Sequence, residues 1–141
     1  MASPDLFGDV AEFTKLRNTK LGKEEASGGA PIDRKFITQM IMDELDELKE
    51  AKDEAEEVDA LLDAVYYALQ HLSTTGLDCR PIWQLIHKAN MTKFGSGGHL
   101  RNDGKWMKPP DFVAPDEAIR AEIVRQRAVA PVLPVVFPDK A

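Results

Sequence analysis

Hydrophobic residues along this chain recur mostly at intervals of three and four, which is the repeat of an α-helix that packs on one side. Glycines, prolines and short polar runs separate the repeating segments and are expected to end the helices. Asp53 and Gly76 stand where the N-cap and the end of the third helix are expected. The pattern predicts five helices, at about 5–20, 32–51, 54–74, 81–93 and 115–127.

Strict alternation of apolar and polar residues, the pattern of a half-buried strand, is confined to one very short run near the end. The predicted fold class is therefore all-α, with the second and third helices forming an antiparallel hairpin. We expect one domain at 1–112, whose last part (94–112) is a loop rich in glycine and lysine. Residues 113–141 should add a helix and a proline-rich tail that packs on the body or on a partner subunit.

The stretch MDELDELKEAKDEAEEVDALLD (42–63) has eleven acidic residues and two lysines. In helical projection Glu44 lies inside the apolar stripe of the second helix and Glu47 lies beside it. Asp59 and Asp63 lie between two faces of the third helix. One face is a stripe of large apolar residues and the other is a surface of small residues suited to close packing. The large stripe consists of Val58, Leu61, Leu62, Val65, Leu69 and Leu72, and the small surface of Ala60, Ala64 and Tyr67.

A short turn between these helices would make Glu44 and Glu47 face Asp59 and Asp63. Four clustered carboxylates cannot all stay ionised without compensation, so either some are protonated or a cation lies among them. Oxygen ligands without His or Cys favour Mg²⁺ or Mn²⁺. The alternative is an acidic amphipathic hairpin that merely packs, with a solvated charged face.

Downstream of the hairpin, residues 87–111 reverse the charge, with four lysines and one arginine against two acidic residues. Asn90 and Lys93 are one helical turn apart, and DGK at 103–105 predicts a tight turn that projects Lys105. Lys108 follows shortly after. Lysines and glycine-rich backbone suit phosphate oxygens, so this segment is a candidate phosphate site. We expect Trp83 in the core, whereas Trp106 could either cover a base or hold the loop in place.

The formal net charge of −6 argues against a bare nucleic-acid strand as partner. The single cysteine, Cys79, excludes an intramolecular disulfide and suits a reducing cytoplasm. No apolar run approaches the length of a membrane span, and the N-terminus lacks a signal-peptide pattern. We therefore expect a cytoplasmic protein with no membrane partner.

These motifs together resemble the all-α nucleoside triphosphate pyrophosphohydrolases, the MazG-like and phosphoribosyl-ATP pyrophosphohydrolase-like superfamily. DELDE at 43–47 resembles the first acidic motif of that superfamily. DALLDAVYYAL at 59–69 resembles its second acidic motif. HKANMTK at 87–93 and DGKWMKPPDF at 103–112 resemble its substrate-side motifs. The likeness covers about residues 9–112, most of the chain.

The resemblance implies Mg²⁺- or Mn²⁺-dependent hydrolysis of a nucleoside triphosphate to the monophosphate and pyrophosphate. It implies metal binding by Glu44, Glu47, Asp59 and Asp63, with Glu44 and Glu47 also catalytic, and substrate binding by Asn90, Lys93, Lys105 and Lys108. It also implies a homodimer or homotetramer, so that oligomerisation completes a four-helix-bundle-like core. One departure concerns the second motif, usually E-x-x-D, because Ala60 stands three residues before Asp63. The fourth metal ligand is therefore Asp59 or, in a second register, Glu56. Asp59 is preferred, because Tyr66 and Tyr67 then fall where the family has its aromatic residues.

The base and sugar of the substrate stay open. The resemblance favours a pyrimidine deoxynucleotide such as dUTP or dCTP, with phosphoribosyl-ATP as the second candidate. A function of a different class is a non-catalytic helical dimer whose acidic residues bind structural metal or nothing. Pyrophosphate release from a panel of nucleotides distinguishes the enzyme from the dimer.

Overall fold

The computed structural model describes residues 3–23 and 29–129 and confirms the all-α class. Five helices make up most of this part of the chain, with one 3₁₀ turn and one two-stranded sheet. Their bounds are Leu6–Lys20 (α1), Arg34–Lys49 (α2), Glu54–Ser73 (α3), Cys79–Met91 (α4), Thr92–Phe94 (3₁₀), His99–Leu100 (β1), Trp106–Met107 (β2) and Asp116–Val129 (α5). No helix in these ranges is long and apolar enough to cross a membrane.

Acidic N-caps determine where the helices start. Asp5 and Asp53 cap α1 and α3 at the predicted places. By contrast, α2 starts two residues later than predicted, because the Asp33 side chain accepts the Phe36 N–H and so makes Asp33 the N-cap. Asp78 likewise caps α4, so this helix starts before Pro81. Pro81 then lies in the first turn, where its missing N–H has no helical partner to lose.

The chain forms two compact units, Met1–Leu77 and Asp78–Ala141. The predicted domain boundary at residue 112 stays a prediction. The predicted proline-rich tail, 130–141, lies outside the described residues, as does part of the predicted connection between α1 and α2.

In the first unit α2 and α3 form the predicted hairpin. The Asp33 N–H at the start of α2 donates to Nε2 of His71 near the end of α3, at 2.7 Å, so the helices run antiparallel. Helix α1 packs on α3 through a Thr14–Ser73 hydroxyl contact of 2.6 Å and an edge-to-face contact between Phe13 and Tyr66.

Within the described chain, α3 buries its small-residue surface rather than the first part of its large apolar stripe. Ala60 is only 4% exposed, and Ala64 and Tyr67 are half-buried. The large residues at the start of the stripe are between 43% and 60% exposed; they are Val58, Leu61, Leu62 and Val65. The first half of α3 therefore packs within the chain through its small side chains, and these four large side chains remain largely exposed.

The second unit contains α4, a β-hairpin and α5. The side-chain amide of Gln126 on α5 pairs with the backbone of Asp78 in both directions, accepting its N–H at 2.8 Å and donating to its carbonyl at 2.9 Å. The hairpin lies where the sequence predicted only a loop. The expectation for Trp83 is also wrong, because this α4 side chain is 55% exposed rather than in the core.

Candidate functional site

Glu44 is the one charged residue buried in the first unit's described part, at 7% exposure. It lies on the face of α2 that packs against α3. This agrees with the prediction that Glu44 lies inside the apolar stripe of that helix. Its Oε2 atom is buried and has no hydrogen-bond partner. Every other buried side-chain N or O atom in the described ranges has one. Burying such an oxygen without a partner costs free energy, so this position favours a bound proton or a cation.

The neighbours of Glu44 are the carboxylates that the sequence predicted. Hydrogen bonding with the Glu47 carboxyl, burial, and the negative charges of Glu47, Asp63 and Asp59 raise the pKa of Glu44 from 4.5 to about 7. The structure thus brings together Glu44, Glu47, Asp59 and Asp63, which we call the acidic cluster. Without a positive charge nearby, these causes favour the protonated form of Glu44.

A cavity of about 300 Å³ opens beside the turn that joins α2 to α3. Six residues line it, four of them acidic: Glu47, Glu50, Ala51, Glu56, Asp59 and Ala60. Two members of the acidic cluster, Glu47 and Asp59, therefore face a space large enough for hydrated ions or a phosphate group.

Glu56, the alternative fourth ligand, has a structural task in the same turn. Its Oε2 accepts the Lys52 N–H at 2.6 Å, and its own N–H donates to Oδ1 of the N-cap residue Asp53 at 2.8 Å. This arrangement is close to a capping box, which satisfies N–H groups at a helix start. Asp59 has no such bond in the described structure, so its oxygens are the more available for a cation.

The residues fit a divalent cation by their chemistry. Carboxylate oxygens are what Mg²⁺ and Mn²⁺ prefer, and a positive charge would satisfy the unpartnered Glu44 oxygen. As the side chains stand, no three His, Cys, Asp or Glu residues in 3–23 and 29–129 are arranged to hold a metal ion. Binding of a cation would therefore require these side chains to turn toward one another.

In the second unit, two of the predicted phosphate-binding lysines converge on one aromatic ring. The Nζ atoms of Lys93 and Lys108 each lie 5.4 Å from the centre of the Phe112 ring. Neither ammonium forms an ion pair within the described residues, so both charges are available to an anion. Phe112 was not predicted as a site residue, because an apolar residue in a loop gives no indication that two lysines lie over its ring.

Lys105 and Asn90 occupy exposed positions in the same unit. Lys105 lies in the hairpin turn, where its N–H donates to Oδ1 of Asp103 at 3.2 Å and its carbonyl accepts the Arg101 N–H at 2.7 Å. Gly104 has a φ of +92° there, which makes the predicted tight turn possible.

Arg101, by contrast, already has an anionic partner. Its guanidinium forms two hydrogen bonds to the Asp103 carboxylate, which lower the pKa of Asp103 and raise that of Arg101. Arg101 belongs to the predicted basic segment, but its charge is paired with that of Asp103.

Comparison with known protein families shows which family the chain belongs to. The model of the family described as phosphoribosyl-ATP pyrophosphohydrolase matches residues 11–90, more than half of the chain. The chain belongs to this family. The phosphoribosyl-ATP pyrophosphohydrolase family is part of the all-α MazG-like nucleoside triphosphate pyrophosphohydrolase superfamily, so the resemblance inferred from the sequence is confirmed. No curated protein matches the chain.

The family membership supports pyrophosphohydrolase activity on a nucleotide. MazG-like pyrophosphohydrolases generally depend on divalent metal. The match includes the whole acidic cluster and ends at Asn90, so Lys93, Lys105 and Lys108 lie beyond it. A substrate role for these lysines therefore stays a prediction, which rests on the motif resemblance.

Proposed function

We propose that this protein hydrolyses a nucleoside triphosphate to the monophosphate and pyrophosphate, with Mg²⁺ or Mn²⁺ bound by the acidic cluster. The observation that carries the proposal is the buried, unpartnered Glu44 oxygen among three further carboxylates. A polar atom left in this state is costly in a purely structural hairpin. The cost is explained if the site is completed by a cation during function.

In this proposal a water molecule attacks the α-phosphorus and the bond to the bridging oxygen breaks, so that pyrophosphate departs. Bound metal would polarise the phosphorus and neutralise charge on the phosphate oxygens. Glu44, Glu47, Asp59 and Asp63 would hold the cation, and one of the two glutamates would take the proton from water. Asn90, Lys93, Lys105 and Lys108 bind the phosphates, and the lysines offset the charge of the departing pyrophosphate.

The base and sugar are the finer part of the proposal. Motif resemblance favours a pyrimidine deoxynucleotide such as dUTP or dCTP. The description of the matching family favours phosphoribosyl-ATP instead. Both substrates would be cleaved between the α and β phosphates, so the same residues serve either.

A panel assay tests the activity and separates these substrates. The protein is incubated with Mg²⁺ or Mn²⁺ and each common ribo- and deoxynucleoside triphosphate, and separately with phosphoribosyl-ATP, and pyrophosphate is measured. We expect release from at least one compound and much slower release from Glu44→Gln. No release from any compound would favour the non-catalytic acidic dimer.

A melting experiment tests the metal site without turnover. Mn²⁺ at a hundredfold excess over its Kd should stabilise the native state by roughly 2.7 kcal/mol. The gain should shrink sharply in Asp63→Asn and persist in the control Asp46→Asn, on an exposed face of α2. Equal loss in both variants would mean that the ion is only a diffuse counter-ion.

We also propose that a second copy of the chain covers the exposed stripe of α3, giving a homodimer or homotetramer. Exposed apolar surface of this extent on one helix favours an interface. Light scattering of the wild type and of Leu62→Glu tests this point, since the charged variant should dissociate. We place the oligomer in the cytoplasm, in keeping with the single cysteine.

A further inference from the structure

Two aromatic side chains form an exposed pair in the second unit that the proposed chemistry leaves unused. The Phe94 and Trp106 rings have centres 5.1 Å apart and are tilted by 37°. Phe94 is 63% exposed and Trp106 is 36% exposed. Large aromatic surface left in water is costly, and such surface usually serves recognition.

The orientation of the Trp106 indole is fixed by the backbone around it. The indole Nε1–H of Trp106 donates to the carbonyl of Lys93 at 2.7 Å. Gly98 packs so closely here that a Cβ atom would lie 2.2 Å from that carbonyl oxygen and 3.0 Å from the indole nitrogen. Only a residue without a side chain leaves room for this hydrogen bond. The indole is therefore held in place before any ligand binds.

Positive charge accompanies the aromatic surface. Lys93 directly precedes Phe94 in the chain and holds Trp106 through its carbonyl, while its ammonium shares the Phe112 ring with Lys108. The same segment thus presents an exposed aromatic pair and two cations without carboxylate partners in the described structure. A nucleotide carries the complementary groups, an aromatic base and an anionic phosphate chain, on one molecule.

We propose that Phe94 and Trp106 bind the base of the nucleotide by stacking. The inference rests on the proposed function for the phosphate chemistry and adds the residues that hold the base. Because every base has a π-face, stacking is tolerant of base identity. This aromatic pair therefore supplies affinity for nucleotides as a class, and discrimination among bases must come from hydrogen bonds made by other residues.

Fluorescence of Trp106 tests the inference directly. The chain has two tryptophans, so Trp83→Phe leaves Trp106 as the single reporter. In that background uridine, cytidine and adenosine monophosphates should each quench the emission saturably. Phe94→Leu keeps apolar bulk but removes the ring, and should weaken each binding constant roughly 5- to 30-fold, within the range for base–aromatic stacking. Phe94→Tyr should restore it.

Turnover separates stacking from a structural role. Phe94→Leu should raise KM for the nucleotide by the same factor and leave kcat nearly unchanged. Inhibition by inorganic tripolyphosphate, which has no base, should be equal in the two proteins. Trp83→Leu, at a comparably exposed aromatic position on α4, is the matched control and should change none of these constants.

Three results would overturn the inference. They are no quenching by any nucleotide, an unchanged KM in Phe94→Leu, or a tripolyphosphate inhibition that weakens in Phe94→Leu by the same factor as nucleotide binding. The last result would mean that Phe94 shapes the lysine segment or supports a protein interface instead. Failure of the proposed function looks different. Saturable quenching that depends on Phe94, without pyrophosphate release from any nucleotide, would uphold the base site and reject the hydrolase.

Discussion

Replacing Glu44 by glutamine should make the metal-free protein more stable at pH 8 while abolishing turnover. The substitution keeps the size of the side chain but removes its charge. The amide can donate a hydrogen bond to the Glu47 carboxylate, whereas the ionised wild-type side chain is repelled by it. Turnover should fall because a neutral amide is a poor ligand for a divalent cation.

The magnitude follows from the raised pKa of Glu44. Between pH 4.5 and about 7 the folded protein binds this proton more tightly than the unfolded chain does. The free energy of unfolding therefore falls as the pH rises through that window. A shift of this size corresponds to about 3 kcal/mol at most. Its largest cause, Glu47, is exposed to screening solvent, so we expect roughly 1–3 kcal/mol.

Urea unfolding with a chelator present, at pH 4 and pH 8, measures this difference. Glu44→Gln should match the wild type at pH 4, where both side chains are neutral, and exceed it at pH 8. Asp46→Asn, which removes an exposed charge from the same helix, is the control and should show no such pH-dependent gain. If the difference in unfolding free energy between Glu44→Gln and the wild type is the same at pH 4 and pH 8, the raised pKa of Glu44 is refuted. Full activity in the mutant would refute its role as a metal ligand.

Three further predictions concern the fourth ligand, the lysines and the hairpin. Asp59→Asn should lower Mn²⁺ affinity in calorimetric titration, whereas Glu56→Gln should spare it and keep the helix cap, because the glutamine amide oxygen can still accept the Lys52 N–H; the reverse outcome would favour the second register. Lys93→Ala and Lys105→Ala should each slow turnover without changing Mn²⁺ affinity in the absence of nucleotide, and a large loss of that affinity would contradict the assignment. Gly98→Ala should cost about 1–3 kcal/mol of unfolding free energy, because the new Cβ meets a backbone oxygen; an unchanged denaturation midpoint would contradict this contact.

Most of the helical fold could be predicted because its causes are local. Spacing of apolar residues and acidic N-caps are both visible in the sequence, and the predicted bounds of α1 and α3 agree with the structure within a residue. The β-hairpin was missed because strands of two residues carry no alternation. It depends instead on a glycine turn and on pairing between His99–Leu100 and Trp106–Met107.

The surface of α3 shows a second limit. An amphipathic pattern indicates which face of a helix is apolar, but it does not indicate whether the same chain covers that face. Here the small side of α3 packs within the chain, whereas Leu61 and Leu62 remain exposed. Trp83 was misplaced for the same reason, since large aromatic residues lie in cores and on binding surfaces alike.

The candidate site was predictable where a residue broke the local pattern. Glu44 stood out as a carboxylate inside an apolar stripe, and the structure buries it. The hydrogen bond that occupies the Glu56 carboxylate could not be predicted from spacing, because it depends on the geometry of the turn. The pairing of Arg101 with Asp103 and the convergence of two lysines on Phe112 likewise require the hairpin geometry.

Phosphorus NMR of the reaction tests the central claim most directly. The best substrate from the nucleotide panel is incubated with Mg²⁺ and the wild-type protein, and in parallel with Glu44→Gln. We predict resonances of the nucleoside monophosphate and pyrophosphate with the wild type, and unchanged triphosphate with the mutant over the same time. A nucleoside diphosphate with orthophosphate, or equal product in both samples, would contradict the account.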